Sequence, residues 1–326
     1  MSRNYMRADV GAFLDVLATT PLAHLSALGV DRARALMEQT RAGRPAPQHK
    51  LAIVRDLECD GPAGPIGLRF YDARAERADG PIVVYFHGGG FVLGDLNSHH
   101  GVCLEIARAV DVPVVSVNYR LAPENPWPAA PDDAEAAARW VARNAGEILR
   151  RDVTSLVLAG DSAGGNLAAV TAAALRDAPA PVPVVAQCLI YPTIGVSDPT
   201  CSKQEFADGF FLTRKTINWF NANYAAPPKN PRYDLYAADP AAMPPTLLVT
   251  AGLDPLRDEG REYATALIEA GVPVIYQEMR GNIHGCFSMN AAIPSTSEDM
   301  ERAFAALRLL ISLERAGEKI GGFLDR

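Results

Sequence analysis

The chain has 326 residues, 48% of them hydrophobic and 21% charged, which is ordinary for a globular protein with one substantial core. A formal net charge of -7 argues against a nucleic-acid surface, and no apolar run approaches the roughly 18 residues of a membrane span. Five widely spaced cysteines without a CxxC pair, and an N-terminus without the apolar stretch of a signal peptide, predict a cytoplasmic protein with reduced thiols.

Eight short β-rich runs follow an N-terminal region that looks helical over residues 1–45. In chain order they are LAIVRDLE, IGLRFYD, IVVYFH, VPVVSVNY, SLVLAG, VVAQCLIYP, TLLVTAG and VPVIYQE. From the fourth run onward, most are separated by helix-like stretches, at residues 131–144, 163–176, 258–270 and 297–315. Apolar strands that alternate with helices are typical of an α/β protein whose mostly parallel sheet is covered on both faces.

Two regions interrupt this alternation, the N-terminal residues 1–50 and the aromatic-rich residues 198–235. Insertions of this kind often lie over the strand ends, where open α/β sheets bind ligands. We therefore expect the two regions to form one helical cap. The α/β core then comprises residues 51–197 and 236–326.

The third β-rich run leads into VYFHGGGF, residues 84–91. Glycine allows a backbone to approach a ligand closely because it has no Cβ. Three consecutive glycines after a buried strand therefore permit two interpretations, a plain glycine-rich turn or a loop whose amides bind negative charge. In the second interpretation the amides of Gly88 and Gly89 would donate, together with that of Ala163 further along the chain.

The fifth run ends in GDSAGG, where strand-forming residues give way at once to an alanine-rich stretch. Gly160 and Gly164 flank Ser162 at positions where a side chain would crowd a sharp strand-to-helix turn. Such a turn holds the serine hydroxyl at the top of the sheet, with the positive end of the helix dipole directed at developing negative charge. A G-x-S-x-G match alone is weak evidence, but here the predicted strand and helix supply the context that the motif requires.

A serine hydroxyl is a weak nucleophile unless a base takes its proton, and the base needs a third group to orient it. Among the six histidines, His284 lies on the loop after the last predicted strand, as Ser162 lies after an earlier one. The adjacent His99 and His100 are expected at the surface or at a helix cap. His284 is therefore the predicted base.

The acid should lie between the serine and the histidine in the chain. Asp254 follows the seventh β-rich run and is the predicted acid. Asp258 and Glu259 are expected to cap the next helix, and Asp161 is expected to point away from the turn that it shares with the serine. The glycine loop, the serine, the acid and the histidine then favour a catalytic site over a set of unrelated turns.

These motifs together resemble those of the bacterial hormone-sensitive-lipase-like esterases, an α/β-hydrolase family, in its GDSAG branch. The matching segments are HGGGF (87–91), YRLAPE (119–124), GDSAGGNLA (160–168), DPLRDE (254–259) and IHG (283–285). The resemblance implies an α/β-hydrolase fold with an eight-stranded sheet. It also implies hydrolysis of short-chain carboxylic esters through an acyl-enzyme intermediate, with no cofactor and no metal.

The resemblance leaves the substrate pocket less defined. Family members more often carry a bulkier residue where Cys286 stands, so its small side chain could widen the pocket, while Phe210 and Phe211 in the cap could narrow it. Ile283 is expected in the same pocket. The expected partners are a small ester, water and a second copy of the chain, which would pair through the apolar edge strand at residues 272–278.

Two other functions stay open at this point. An amidase or peptidase would use the same triad, and only rates on matched ester and amide substrates separate it from an esterase. A non-catalytic small-molecule receptor is the alternative from another class, since plant hormone receptors that resemble this family have lost the catalytic histidine. The presence of His284 weighs against a receptor.

Overall fold

The computed structural model describes residues 5–42, 49–149, 152–195 and 200–324. Its strands are β1 (Ile53–Gly61), β2 (Gly64–Asp72), β3 (Gly80–Phe86), β4 (Val114–Asn118), β5 (Val153–Asp161), β6 (Val184–Ile190), β7 (Thr246–Leu253) and β8 (Val274–Ile283). Its helices are α1 (Ala8–Ala18), α2 (Val30–Ala42), α3 (His100–Val110), α4 (Ala129–Leu149), α5 (Ala163–Asp177), α6 (Cys201–Glu205), α7 (Arg214–Tyr224), α8 (Arg257–Glu269) and α9 (Thr296–Leu324). Stretches of 3-10 helix lie at Pro21–Ala27 and Cys286–Met289.

The strands form one eight-stranded sheet in the order β1-β2-β4-β3-β5-β6-β7-β8. β1 pairs with β2, and β2 with β4, in antiparallel fashion, whereas every pairing from β4 to β8 is parallel. The predicted α/β fold with a mostly parallel eight-stranded sheet is therefore confirmed.

Helices cover both faces of the sheet, and β3 demonstrates the division between them. Ile82, Val84 and Phe86 belong to one buried layer, while Val83 and Tyr85 belong to the other. The first layer includes side chains of α4, α5 and α8, and the second includes side chains of α3 and α9. Successive residues of a strand point to opposite faces, so a strand covered on both sides is apolar along its whole length.

Parallel pairing places the carboxyl ends of the central strands at one edge of the sheet. β3, β5, β7 and β8 end at Phe86, Asp161, Leu253 and Ile283, respectively. The segments that follow carry the three glycines, Ser162, Asp254 and His284. Ligand sites of open α/β sheets lie at this edge, and here the topology gathers four segments that are distant in the chain.

The two predicted cap regions contact each other between α7 and the Pro21–Ala27 stretch. The N-terminal region is also attached to the core, because Arg7 donates to the Arg280 carbonyl and forms an ion pair with Asp299. The predicted division into a cap (1–50 and 198–235) and a core stays a prediction. Within those bounds, residues 1–4, 43–48, 150–151, 196–199 and 325–326 lie outside the described residues.

The five cysteines are all unpaired, with Cys201 exposed and the other four buried. In the ranges that the structure describes, no helix is long and apolar enough to cross a membrane. The same ranges contain no group of three or more His, Cys, Asp or Glu side chains that could hold a metal ion.

Candidate active site

A sharp bend between β5 and α5, the elbow, holds Ser162. The residue has φ 55° and ψ -120°, a conformation that is strained for any residue with a side chain and that is concentrated at functional sites. A Cβ on Gly164 would lie 1.9 Å from the Phe86 carbonyl oxygen, and one on Gly160 would lie 2.2 Å from the Gly164 carbonyl oxygen. Only glycine fits at these two positions, so the predicted strand-to-helix bend is confirmed.

Asp254 and His284 reach the serine from the ends of β7 and β8. Ser162 Oγ lies 2.8 Å from His284 Nε2, and His284 Nδ1 lies 2.7 Å from Asp254 Oδ2. The other carboxylate oxygen of Asp254 accepts from the Leu256 amide at 2.8 Å, which fixes its orientation. All three side chains are buried. The structure thus brings together the three residues predicted as nucleophile, base and acid.

The positions of the protons in the hydrogen bonds between Ser162, His284 and Asp254 follow from which atoms can donate. A carboxylate only accepts hydrogen bonds, so His284 Nδ1 donates its proton to Asp254. Nε2 is then the unprotonated nitrogen of the neutral ring and accepts from the Ser162 hydroxyl. In this tautomer the imidazole can take the proton of the serine.

The glycine loop after β3 lines the same cavity as the serine, but one of its amides is already occupied. Gly88 N donates to Asp161 Oδ1 at 2.9 Å, and an amide has only one proton. The prediction that Gly88 binds an oxyanion is therefore wrong. The amides of Gly89, Gly90 and Ala163 have no acceptor among the described residues, which makes these three the candidate donors. Gly90 was missed because three consecutive glycines do not indicate which amides point into a site.

Of the two adjacent histidines at the start of α3, His99 differs from expectation. His99 is 7% exposed, and its Nε2 lies 3.3 Å from Asp161 Oδ2, so a surface or capping role for His99 is wrong. His100 is half-buried, with its Nδ1 3.1 Å from the Tyr71 hydroxyl. The sequence carried no local signal for the His99 contact, because its partner is 62 residues away in the chain.

His87 is fully buried just after β3, stacked on the Tyr119 ring with centroids 4.3 Å apart. Burial, reinforced by the charge of His99, lowers the pKa of His87 from 6.5 to about 4. Between these two pH values the unfolded chain binds a proton that the folded chain does not. The contribution of His87 to stability is therefore complete above pH 6.5 and is lost as the pH falls toward 4.

We expect His87→Asn to remove part of the acid sensitivity of the fold. The asparagine does not titrate, and its amide can still donate to the Gly88 carbonyl that His87 Nδ1 contacts. The difference in unfolding free energy between wild type and variant should change by about 3 kcal/mol between pH 7 and pH 4. Urea titrations of both proteins across this range measure it, and a difference that stays constant with pH would contradict the assignment.

Asp258 and Glu259 were expected to cap α8, but instead they bind α6, which lies in the predicted cap region 198–235, and the segment before it. Asp258 Oδ2 accepts from the Ser202 amide at 2.8 Å. Glu259 is fully buried, accepts from the Ile194 amide at 3.0 Å and lies 2.6 Å from Lys203 Nζ. Burial raises the pKa of Glu259, and the Lys203 ammonium acts in the opposite direction. Both carboxylates therefore fasten α6 to the core.

A cavity of about 360 Å³ lies over the catalytic residues. Ser162, His284 and the glycine loop form one part of its wall. Apolar side chains of the two cap regions form another part, among them Leu22, Leu25, Met37, Phe211, Ile217 and Phe220. A substrate in this cavity would meet the nucleophile on one side and the cap on the other.

Of the four side chains predicted for the pocket, Phe211 lines the cavity and the other three do not. Phe210 packs against the apolar cluster that contains Ile283, and Phe211 contacts that cluster as well as the cavity. Cys286 is fully buried in the core layer of α3 and α9, because Gly285 at φ 76° turns the chain away from the serine after the histidine. The prediction that the small residue 286 widens the pocket is therefore wrong.

Comparison with known proteins gives a consistent set of relatives. A family model described as the alpha/beta hydrolase fold matches residues 83–288. Esterase LipI of Mycobacterium tuberculosis is 42% identical over 86% of this chain and 89% of its own. Carboxylesterase NlhH of the same species is 38% identical over 93% and 96%, respectively. The solved ester hydrolase EH1AB1 from the metagenome of Lake Arreo is 36% identical, with a TM-score of 0.86 over 93% of this chain and 98% of that one.

Proposed function

The chain belongs to the hormone-sensitive-lipase-like esterases of the alpha/beta hydrolase family, and on that premise we propose that Ser162, His284 and Asp254 are its catalytic triad. The enzyme is a carboxylic ester hydrolase, and an amidase or receptor function is not favoured by its relatives. The observation that carries the residue assignment is the unbroken hydrogen-bonded chain from the Ser162 hydroxyl through His284 to the Asp254 carboxylate.

In the acylation step, Ser162 Oγ attacks the carbonyl carbon of the ester while His284 Nε2 takes the hydroxyl proton. Asp254 holds the imidazole and stabilises it once it is charged. The tetrahedral intermediate collapses when His284 returns the proton to the leaving alcohol oxygen. The acid part of the substrate is then bound to Ser162 as an ester, and the alcohol is free to leave.

Negative charge develops on the former carbonyl oxygen during this step. The amides of Gly89, Gly90 and Ala163 are proposed to bind it, since none of them has an acceptor among the residues the structure describes. Donors that are fixed before the reaction stabilise the transition state without reorganisation, and loss of one typically lowers turnover by about 10²–10³-fold. Ala163 also begins α5, so the helix dipole favours the same charge.

Water repeats the sequence in the deacylation step. His284 Nε2 takes a proton from water, and the resulting hydroxide attacks the acyl carbon. The second tetrahedral intermediate releases Ser162 Oγ, which regains its proton from His284. The products are a carboxylic acid, an alcohol and the free enzyme.

Covalent labelling tests the nucleophile directly. A fluorophosphonate probe reacts with an activated serine and releases fluoride, which leaves a phosphonate on the oxygen. Mass spectrometry of the digested protein should find one modification, on the peptide that contains Ser162. Labelling at another residue, with Ser162 unmodified, would contradict the assignment.

The substrates proposed are esters with acyl chains of about two to eight carbons. The cavity of about 360 Å³ lies at the small end of the range for small-molecule sites, and Phe211 and Phe220 of the cap line it. Residues 1–50 and 198–235 are proposed to act together as this cap. A long acyl chain would have to displace cap side chains and would lose affinity for that reason.

We expect turnover on p-nitrophenyl esters to be highest within that range of acyl lengths and to fall steeply for longer chains. Phe211→Ala enlarges the cavity and should move the optimum to longer acyl chains. Phe210→Ala is the matched control, because Phe210 packs against Phe206 outside the cavity and its loss should leave the optimum unchanged. Faster hydrolysis of emulsified triolein than of a soluble butyrate would contradict the proposal.

A homodimer through β8 is proposed for the assembled protein. β8 is an outer strand of the sheet, and Val274, Ile275 and Tyr276 on it are half-buried in one chain. An outer strand presents unpaired amides and carbonyls that a second copy can pair with. Light scattering at micromolar concentration should give twice the chain mass of 34.9 kDa. A mass that stays at that of one chain over a dilution series would exclude the dimer.

A further inference from the structure

Asp161 is a buried carboxylate next to the nucleophile that the mechanism above does not use. It is 3% exposed, and its Oδ1 accepts from the Tyr85 hydroxyl at 2.6 Å and from Gly88 N at 2.9 Å. Its Oδ2 lies 3.3 Å from His99 Nε2. One carboxylate on the elbow therefore contacts β3, the glycine loop and the residue before α3.

The contacts of His99 show how it is bonded to Asp161. His99 Nδ1 lies 3.0 Å from Ser98 Oγ, which fixes the plane of the ring. Asp161 offers only acceptors to Nε2. His99 Nε2 therefore carries a proton and donates it to the carboxylate.

Asp161 stays ionised in this environment. Burial acts to raise its pKa, but His99 and the hydrogen bonds from Tyr85 and Gly88 outweigh burial, and the pKa is lowered. Hydrogen bonds to an ionised acceptor are stronger than those between neutral groups. The bond from the Gly88 amide is therefore a firm attachment of the glycine loop.

This attachment joins the two segments that supply the oxyanion donors, the glycine loop and the start of α5. Gly88 is followed directly by Gly89 and Gly90, and Asp161 is followed after one residue by Ala163. A Cβ on Gly88 would lie 2.5 Å from Asp161 Oδ2, so loop and elbow are in contact without room for a side chain. The distance between the two sets of amide donors is thus determined at the Gly88–Asp161 bond.

We propose that Asp161 is a positioning residue for the oxyanion hole, which holds the glycine loop against the elbow, and that the N–H of His99 offsets the charge of Asp161 so that it does not oppose the oxyanion. The inference rests on the proposed triad and oxyanion donors. It gives Asp161 and His99, which both line the cavity, a role in the transition state.

Asp161→Ala and Asp161→Asn separate the attachment from the charge. Alanine removes the acceptor of the Gly88 amide, so kcat on p-nitrophenyl butyrate should fall about 100-fold, within the range for loss of an oxyanion donor, with KM within about 3-fold. Asparagine keeps an oxygen for Gly88 and can donate to a neutral His99, so kcat should stay within about 5-fold of wild type. A trifluoromethyl ketone, which forms an oxyanion on the serine, should lose affinity in the same proportion as kcat.

His99→Asn tests the charge independently, and it applies even where the alanine variant does not fold. It leaves the carboxylate without the donor that offsets its charge, so kcat should fall about 10-fold or more, and adding Asp161→Asn should restore most of the loss. Gln187→Leu is the matched control: it removes a buried hydrogen bond to Thr246 away from the site and should lower stability without changing kcat.

The results have distinct meanings. If Asp161→Ala loses stability but keeps kcat and ketone affinity within about 3-fold of wild type, Asp161 is merely structural and the inference is overturned. If His99→Asn does so, the role of His99 is overturned. No rescue in the double variant overturns the role of His99. Failure of the wild-type enzyme to hydrolyse the ester would instead overturn the proposed function.

Discussion

Ser162→Ala is expected to lower turnover by about 10⁶-fold and to leave the fold intact. The hydroxyl is the only group that the substitution removes, and its partner His284 Nε2 is then left without a nucleophile to deprotonate. The Cβ is kept, so the strain at φ 55° is the same in both proteins. Thermal melts should therefore nearly superimpose. A variant that keeps a tenth of the wild-type rate would contradict the assignment of Ser162 as the nucleophile.

Ser162→Gly offers a matched comparison for the same position. Glycine adopts positive φ without strain, so this variant should be as inactive as the alanine variant yet more stable by about 1 kcal/mol. Higher stability together with lost activity would show that the bend is held for function. Equal stability of the alanine and glycine variants would remove the argument that the elbow is strained.

The sequence predicted which residues lie together where their determinants are local. Gly160, Ser162 and Gly164 form their bend within five residues, and the apolar runs before them predict the strand. Asp254 and His284 were identified because each follows such a run, and parallel strands end at one edge of the sheet. Chain order and strand ends were therefore sufficient for the triad positions.

The incorrect predictions depend on contacts between distant segments. In the sequence Gly88 is equivalent to its two neighbours, and only the fold brings its amide to Asp161, which is 73 residues away. His99 looked like a surface residue for the same reason. Cys286 follows the histidine directly, but the positive φ of Gly285 sends its side chain into the core. A sequence pattern specifies faces of strands and helices, not the direction of a side chain in an irregular loop.

Asp254→Asn and Asp258→Asn are expected to differ in turnover by about 10⁴-fold, although the two carboxylates are four positions apart. Asparagine at position 254 can still accept from the Leu256 amide, so the loop should keep its shape. Its NH₂ group, however, would donate toward His284 Nδ1, where the carboxylate accepted. The ring then carries its proton on Nε2 and cannot accept that of Ser162.

Asp258 contacts no member of the triad. Its Oδ2 accepts from the Ser202 amide, and its Oδ1 pairs with Arg257 and Arg261. Asparagine keeps an oxygen for Ser202 and loses the ion pairs, which should cost about 1 kcal/mol of stability and little turnover. Steady-state kinetics and thermal melts on both variants measure the two effects separately. An inactive Asp258→Asn beside an active Asp254→Asn would mean that the hydrogen bond from His284 to Asp254 does not orient the base.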